Sequence, residues 1–162
     1  MRAVTIWQPW ATLILCGIKL YETRSWPTDY RGPLVITAAK RWEDDQAQLL
    51  EPIAQMIETH RPAFLHDMSR AQKELWFASI EDTLGRALGV VNLTDCKRMQ
   101  CSGDQLENYL GNFGPGRFGW KCETPTAFDS PLQCTGKQGL WIPSERLAEQ
   151  ARQLISEAES KT

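Results

Sequence analysis

Three charged residues lie close together near the amino terminus, in the stretch GIKLYETRSWP of residues 17–27. Strand-forming residues separate Lys19, Glu22 and Arg24, and alternation along a strand would put Glu22 and Arg24 on one face. A carboxylate beside two cations stays ionised and fixes them, and such cations can bind a phosphate, a carbonyl or the edge of a base. The same residues would also fit an exposed ion pair on a strand, which contributes at most about 1 kcal/mol.

Lys19 is also a candidate catalytic residue. It follows shortly after Gly17, so it lies either on the Tyr21 face of the strand or in the preceding turn, from which it could reach Glu22. A buried lysine next to an arginine can act as a general base. Lys19 and Glu22 are therefore the candidate catalytic residues if the protein is an enzyme.

Aromatic and amide side chains flank the charged strand and are candidate ligand contacts. Gln8 and Trp10 lie at a predicted strand-to-helix junction, where backbone N–H groups can hold an anion, and Trp26 follows the strand in a loop. Aromatic faces beside cations form a recurring arrangement for nucleobases. Core packing is the alternative for Trp10 and Trp26, and it is what we expect for Trp7.

A second glycine-rich stretch, GPGRFGW at residues 114–120, carries Arg117. Its glycines permit close approach of the backbone to a ligand, although a hairpin or bulge explains the stretch equally well. It matches no P-loop, and no GxSxG or HExxH pattern occurs, so the familiar hydrolase motifs are absent.

The charge distribution limits the class of ligand. The net charge of −2 argues against the many phosphate contacts that hold an extended DNA duplex. Residues 1–42 carry six basic and two acidic residues, whereas residues 43–82 carry three basic and nine acidic ones. A compact ligand or a short single strand therefore fits better than a long duplex.

The composition also suggests a compartment and excludes some partners. No apolar run approaches the roughly 20 residues of a membrane span, and Gln8 and Pro9 interrupt the apolar start that a signal peptide needs. We therefore expect a cytoplasmic protein without membrane contact, whose five cysteines are reduced. The cysteine and histidine spacings match no zinc motif, so no metal or other cofactor is predicted. No feature identifies a protein partner.

Short strands with turn signals dominate the predicted core. Together with the helices they predict an α+β fold, a small mixed β-barrel surrounded by helices, in a single domain over 1–162. The predicted strands cover 3–7, 20–24, 34–39, 85–99 and 138–143, and one more follows the loop at 114–120. The predicted helices are 9–16, an acidic helical insertion over about 43–82, a short one at 103–110 and a terminal one over about 144–159 with Ser144 as its N-cap.

The run of residues 5–40 resembles the opening of ASCH domains, named for homology to activating signal cointegrator and part of the PUA-like β-barrel superfamily. The signature GxKxxExR corresponds here to Gly17, Lys19, Glu22 and Arg24, and its W-P…YRGPL…A-K continuation to Trp26, Pro27, Tyr30 to Leu34, Ala39 and Lys40. The later stretches FGPGRFGW and GKQGLW resemble the carboxy-terminal strands of longer members. The likeness covers about 5–42 and 85–142 and leaves out the acidic helices and the terminal helix.

The resemblance implies a PUA-like barrel with a cleft beside the first helix that binds RNA or a modified nucleoside or nucleotide. Lys19 and Arg24 would contact phosphate or base edges, and Glu22 would orient them and accept a base N–H. Trp10 or Trp26 would form a stacking wall. The predicted ligand contacts are Gln8, Trp10, Lys19, Glu22, Arg24, Trp26, Lys40 and Arg117.

The resemblance also implies two alternatives with catalysis. One branch of the family hydrolyses N4-acetylcytidine with a lysine, a threonine and a glutamate; Lys19 matches the lysine, Glu22 occupies the threonine position, and Asp104 and Glu107 are candidates for the acid. Other members are ribonucleases, so an amidohydrolase or a ribonuclease acting through Lys19 and Glu22 is the alternative function. A further alternative, drawn from the acidic segment 43–82, is a protein-interaction adaptor.

Overall fold

The computed structural model describes residues 1–160, which form six strands and six helices. The strands are β1 (Arg2–Ile6), β2 (Tyr21–Arg24), β3 (Gly32–Ala38), β4 (Arg86–Arg98), β5 (Phe118–Gln133) and β6 (Leu140–Trp141). The helices are α1 (Trp10–Leu15), α2 (Asp44–His60), α3 (Arg70–Phe77), α4 (Ile80–Thr83), α5 (Gln105–Leu110) and α6 (Glu145–Glu159). Residues 161 and 162 of the predicted domain lie outside the described residues.

The strands form one sheet in the order β2-β5-β4-β3-β1-β6. Strands β1 and β3 are parallel and the other neighbours are antiparallel, so the sheet is mixed. The sheet curls into a half-barrel, in which Nη2 of Arg24 on the edge strand β2 donates a 2.9 Å hydrogen bond to the carbonyl of Thr5 in β1. This architecture confirms the predicted α+β, PUA-like fold class.

Hydrophobic residues pack on both faces of the sheet, because the buried run of β3 is continuous and successive side chains point to opposite faces. Inside the curl, Leu34 and Ile36 of β3 belong to a cluster with residues of α1. Outside it, Val35 belongs to a second cluster with Leu147 and Ala151 of α6. The side chain of Ser144 caps α6 by accepting from the N–H of Leu147, as the sequence predicts.

The strand pattern departs from the prediction at β5, which continues to Gln133. Its second half contains Pro125 and Pro131, residues that usually interrupt a strand. Register shifts in the pairing of β5 with β4 accommodate both prolines, and Thr124 adopts a positive φ of 47° beside the first of them. The sequence does not predict this half of the strand, because its two prolines are typical of turns.

The acidic segment is helical, as predicted, and it packs on the barrel. Ile53 and Ile57 of α2 are buried in a cluster with Leu13 of α1 and Leu106 of α5. The acidic residues Asp44 and Asp45 lie in the first turn of α2, where they interact favourably with the helix dipole.

Within residues 1–160, no helix has the length and apolar character needed to cross a membrane.

Candidate functional site

A cleft of about 590 Å³ opens beside α1, between β2, α2 and the segment that links α5 to β5. We call it the aromatic cleft. It brings together most of the residues that the sequence singles out. Its polar and aromatic lining includes Trp7, Trp10, Lys19, Glu22, Thr23, Arg24, Trp26, Tyr109, Asn112 and Arg117.

Glu22 and Arg24 form one ion pair of the cleft. They lie on the same face of β2, as strand alternation predicts, with Oε1 of Glu22 2.8 Å from Nε of Arg24. The pair is only partly shielded, because the Arg24 side chain is 23% exposed and the Glu22 side chain 11%. Arg24 also donates to Thr5, so one guanidinium holds a carboxylate and joins two strands.

Lys19 forms a second pair with a different carboxylate. Its Nζ lies 3.5 Å from Oε1 of Glu107 and also donates to the carbonyl of Tyr21. Glu107 in turn accepts hydrogen bonds from the backbone N–H groups of Leu20, at 2.7 Å, and Tyr21, at 2.9 Å. Lys19 is therefore fixed by a residue 88 positions away in the chain and not by Glu22.

Helix α5 supplies this carboxylate because its own start is anchored. Asp104 caps the helix and accepts from the N–H of Glu107 at 2.9 Å. Nη2 of Arg61, just after α2, donates to Oδ2 of Asp104 at 2.7 Å, and this bond holds the pKa of Asp104 below its usual value. The residue that ends α2 thus helps to position Glu107 beneath the cleft.

Arg117 reaches the cleft from the loop before β5. Its Nη2 donates to the carbonyl of Thr23 at 2.9 Å, and the hydroxyl of Thr23 accepts from the N–H of Asn112 at 3.1 Å. The Nε of Arg117 is buried and finds no hydrogen-bond partner within residues 1–160. These contacts fasten the glycine-rich loop to β2 and leave one buried donor unused.

The aromatic side chains differ in how freely they face the cleft. The indole N–H of Trp10 donates to the carbonyl of Leu110 at 2.9 Å, and Trp26 packs edge-on against the buried Trp120 with centroids 4.6 Å apart. Trp7 is 41% exposed, and the guanidinium carbon of Arg41 lies 5.6 Å from its ring centroid.

The expected core position of Trp7 is therefore wrong. Strand β1 already places Val4 and Ile6 inside the curl and ends at Ile6, so Trp7 leaves the sheet at the start of a turn. A large indole held at the surface by an arginine is a candidate stacking face.

Two predicted contacts lie outside the aromatic cleft. Gln8 is fully buried, and its amide donates to Thr83 at 2.7 Å and to Thr12 at 2.9 Å, which gives it a role in joining α1 to α4. Lys40 lies beyond Trp7 and Arg24, in a neighbouring groove.

Sequence reasoning missed several residues of the cleft, four of which come from two helical regions. Tyr109 and Asn112 follow Glu107 in the α5 region, and Leu49 and Ile53 come from α2. Leu49 and Ile53 are four positions apart, a spacing that puts them on one face of an amphipathic helix. This spacing predicts a buried face but does not reveal which part of the protein the helix covers. Tyr109 carries no such signal.

Cys122 lies close to the ion pairs but is not a nucleophile. Burial, together with the nearby carboxylate of Glu22, raises the pKa of its thiol to about 12. A thiol with this pKa stays protonated near neutral pH and is inert.

Comparisons with known proteins agree with this architecture. The sequence profile of the ASCH domain matches residues 4–132. Activating signal cointegrator 1 of Homo sapiens is 25% identical over 150 residues, which cover 92% of this chain and 23% of the human protein. Its Mus musculus counterpart is 25% identical over 146 residues, which cover 90% and 22%. The chain thus spans less than a quarter of the length of these relatives.

Proposed function

The chain belongs to the ASCH domain family, and on that premise we propose that it binds single-stranded RNA or a modified nucleoside or nucleotide in the aromatic cleft. ASCH domains are commonly associated with RNA binding. The proposal adds the ligand class and the residues that contact it.

One observation carries the proposal: charged groups of both signs and several aromatic side chains line the same cleft of about 590 Å³. This volume lies within the roughly 300–1,000 Å³ typical of ligand pockets. A nucleobase needs a flat apolar surface together with donors and acceptors for its edge. Trp7 and Trp26 supply the surface, and Glu22 and Arg24 supply the polar groups.

The ion pairs suggest distinct roles for the signature residues. Glu22 and Arg24 are partly exposed, so they can accept a base N–H and donate to a carbonyl or phosphate oxygen. Lys19 is 2% exposed and already bonded to Glu107 and Tyr21. Its principal role in this proposal is to position β2, with its charge adding to the field in the cleft. Arg117 also lines the cleft, where its guanidinium contributes a further positive charge.

The test is a binding titration with cytidine, N4-acetylcytidine and a single-stranded RNA hexamer. Binding is measured by tryptophan fluorescence for the nucleosides and by anisotropy for the labelled RNA. Arg24→Gln is expected to weaken binding of the ligand by about tenfold or more, the scale of a charge-assisted hydrogen bond. Arg146→Gln, on the exposed surface of α6, is the matched control and should bind normally. Equal affinities for both variants, with folding intact by circular dichroism, would refute the assignment.

Hydrolysis of a modified base or of RNA is the second candidate. It is favoured by the buried Lys19–Glu107 pair beside Glu22, which supplies groups able to accept and donate protons. Both carboxylate oxygens of Glu107 already accept backbone N–H bonds, which argues for a positioning role instead. Release of acetate from N4-acetylcytidine, or cleavage of short RNAs, that is lost in Lys19→Met would establish the enzyme; binding without turnover would leave the first proposal.

The adaptor function suggested by the acidic helices stays a prediction. Ile53 and Ile57 pack α2 into the protein, so deleting the segment would damage the fold. Charge reversal at the exposed Glu51 and Glu58 tests the adaptor without removing the helix. The cytoplasmic location expected from the sequence is likewise a proposal, which microscopy of the tagged protein can test.

A further inference from the structure

A second groove, of about 680 Å³, lies on the far side of Trp7, Arg24 and Trp26. It is bounded by the end of β3, by Gly85 before β4, and by the loop of residues 135–139 that precedes β6. We call it the basic groove. Because the three named side chains line both cavities, the groove and the aromatic cleft form one continuous path across the surface.

The charges along this groove all have one sign. Among residues 1–160, the cations that line it are Arg24, Lys40, Arg41 and Lys137, and no aspartate or glutamate does so. Arg24 and Arg41 have ion-pair partners outside the lining, in Glu22 and Glu43. Within residues 1–160, neither exposed lysine, Lys40 nor Lys137, has a carboxylate at ion-pair distance. A chain of net charge −2 therefore concentrates positive potential in one place.

Glycines let the walls of the groove approach closely. A Cβ added at Gly85 would lie 2.6 Å from Cγ of Lys40, so the lysine stem runs directly over the glycine. A Cβ added at Gly136 would lie 2.7 Å from Oγ1 of Thr5, so the 135–139 loop rests against β1. Lys40 and the loop that carries Lys137 are thus held in place by backbone packing and not by carboxylates.

We propose that the basic groove binds the phosphates of a single-stranded RNA whose base occupies the aromatic cleft. This inference rests on the proposed function and extends it from a single nucleoside to a strand. The cleft offers aromatic faces and base-edge partners, whereas the groove offers unpaired cations, which is the division that a nucleotide chain requires. Arg24 lies at the boundary, where the first phosphate beyond the bound base would pass.

The proposal predicts that two classes of probe respond differently to loss of the groove cations. The double substitution Lys40→Gln with Lys137→Gln should weaken binding of an RNA hexamer by about tenfold at low salt and lower the slope of log K against log salt by about 1.4, for two phosphate contacts at about 0.7 each. Binding of cytidine or N4-acetylcytidine should not change. Lys73→Gln with Lys97→Gln, outside both cavities, is the matched control.

A second titration distinguishes binding of an RNA strand from binding of an isolated phosphate. It compares four probes in parallel: inorganic phosphate, a mononucleotide, a dinucleotide and the hexamer. Affinity that rises from mononucleotide to dinucleotide and again to hexamer supports the strand. Inorganic phosphate or a mononucleotide binding as tightly as the hexamer would overturn it in favour of a terminal-phosphate pocket.

Two other results separate this inference from the proposed function. If the double variant keeps the hexamer affinity and salt slope of the wild-type protein, the phosphate path is overturned and the cleft assignment stands. If the double variant loses affinity for cytidine and for the hexamer to the same extent, the phosphate path is likewise overturned and the cleft assignment stands. If the wild-type protein binds neither nucleosides nor RNA, the proposed function fails, and the phosphate path fails with it.

Discussion

In the aromatic cleft, Lys19 and Glu22 are each held by a partner inside the protein, whereas Lys40 and Lys137 of the basic groove have none within residues 1–160. The two cavities share a wall, yet they use charge differently. A buried ion that loses its partner destabilises the fold, while an exposed ion that is removed changes mainly what can bind. Variants of the cleft floor therefore combine folding and binding effects, and variants of the groove report on binding alone.

The largest effect is expected for Glu107→Ala, which tests whether the cleft floor depends on its buried pair. The change leaves the Lys19 ammonium without its carboxylate partner and the N–H groups of Leu20 and Tyr21 without their acceptor. We expect a loss of about 3–5 kcal/mol in the free energy of unfolding, measured by urea denaturation.

Glu123→Ala is the control for this change, because the exposed Glu123 pairs with Lys121 at 2.6 Å in solvent, so its loss should lower the free energy of unfolding far less than the loss of Glu107. Should Glu107→Ala prevent folding, Glu107→Gln keeps one carbonyl acceptor and should unfold at an intermediate urea concentration. Equal stabilities for the Glu107 and Glu123 variants would show that the cleft floor does not depend on its buried ion pair.

Trp7→Ala should affect binding with little effect on folding, because this residue belongs to the wall shared by both cavities. Loss of a stacking face should weaken RNA binding by about 1–3 kcal/mol, measured by anisotropy. Phe77→Ala, at a side chain 72% exposed and outside both cavities, is the matched control. Normal RNA binding by Trp7→Ala would show that the exposed indole is not a ligand contact.

Lys137→Gln isolates one cation of the groove. We expect the salt slope of RNA binding to fall by about 0.7 and the free energy of unfolding to stay within about 0.5 kcal/mol of the wild-type value. Lys73→Gln should leave both quantities unchanged. A marked loss of stability in Lys137→Gln would mean that the groove, like the cleft, uses its charges for folding.

The smallest effect concerns the cap of α5, where an exposed ion pair supports the buried one. Arg61 lowers the pKa of Asp104, so the pair stabilises the fold above about pH 4, the ordinary aspartate range, and this contribution is lost as pH falls through the lowered pKa. Asp104→Asn keeps a capping side chain and should lose less than about 1 kcal/mol at neutral pH and nothing near pH 2. Asp29→Asn, on the surface, should lose nothing at either pH.

The sequence predicts the strands, apart from the second half of β5, and the shared face of Glu22 and Arg24, because these depend on local alternation. It does not predict that Lys19 pairs with Glu107, because this contact depends on how α5 docks on β2 across 88 positions. Trp7 shows the same limit: its residue type suits a core, and only the end of β1 at Ile6 turns it outward. Local rules therefore give the parts of the site, and tertiary packing decides which parts meet.

Lys40 illustrates a further limit. The sequence groups it with the signature residues, and the structure places it in the basic groove, where it lies over Gly85. The two residues meet because Gly85 donates its N–H to the carbonyl of Ala38 at 3.1 Å, which brings the start of β4 back to the end of β3.

Gly85 has a consequence for how this chain can vary. Its φ of +67° is one that other residues adopt only with strain, and any side chain there would collide with the stem of Lys40. A substitution such as Gly85→Ala alters no charge, yet it would displace a cation of the groove. The position that most constrains Lys40 thus has no functional group of its own, so surveys of sequence variation that follow only charged and aromatic residues would overlook it.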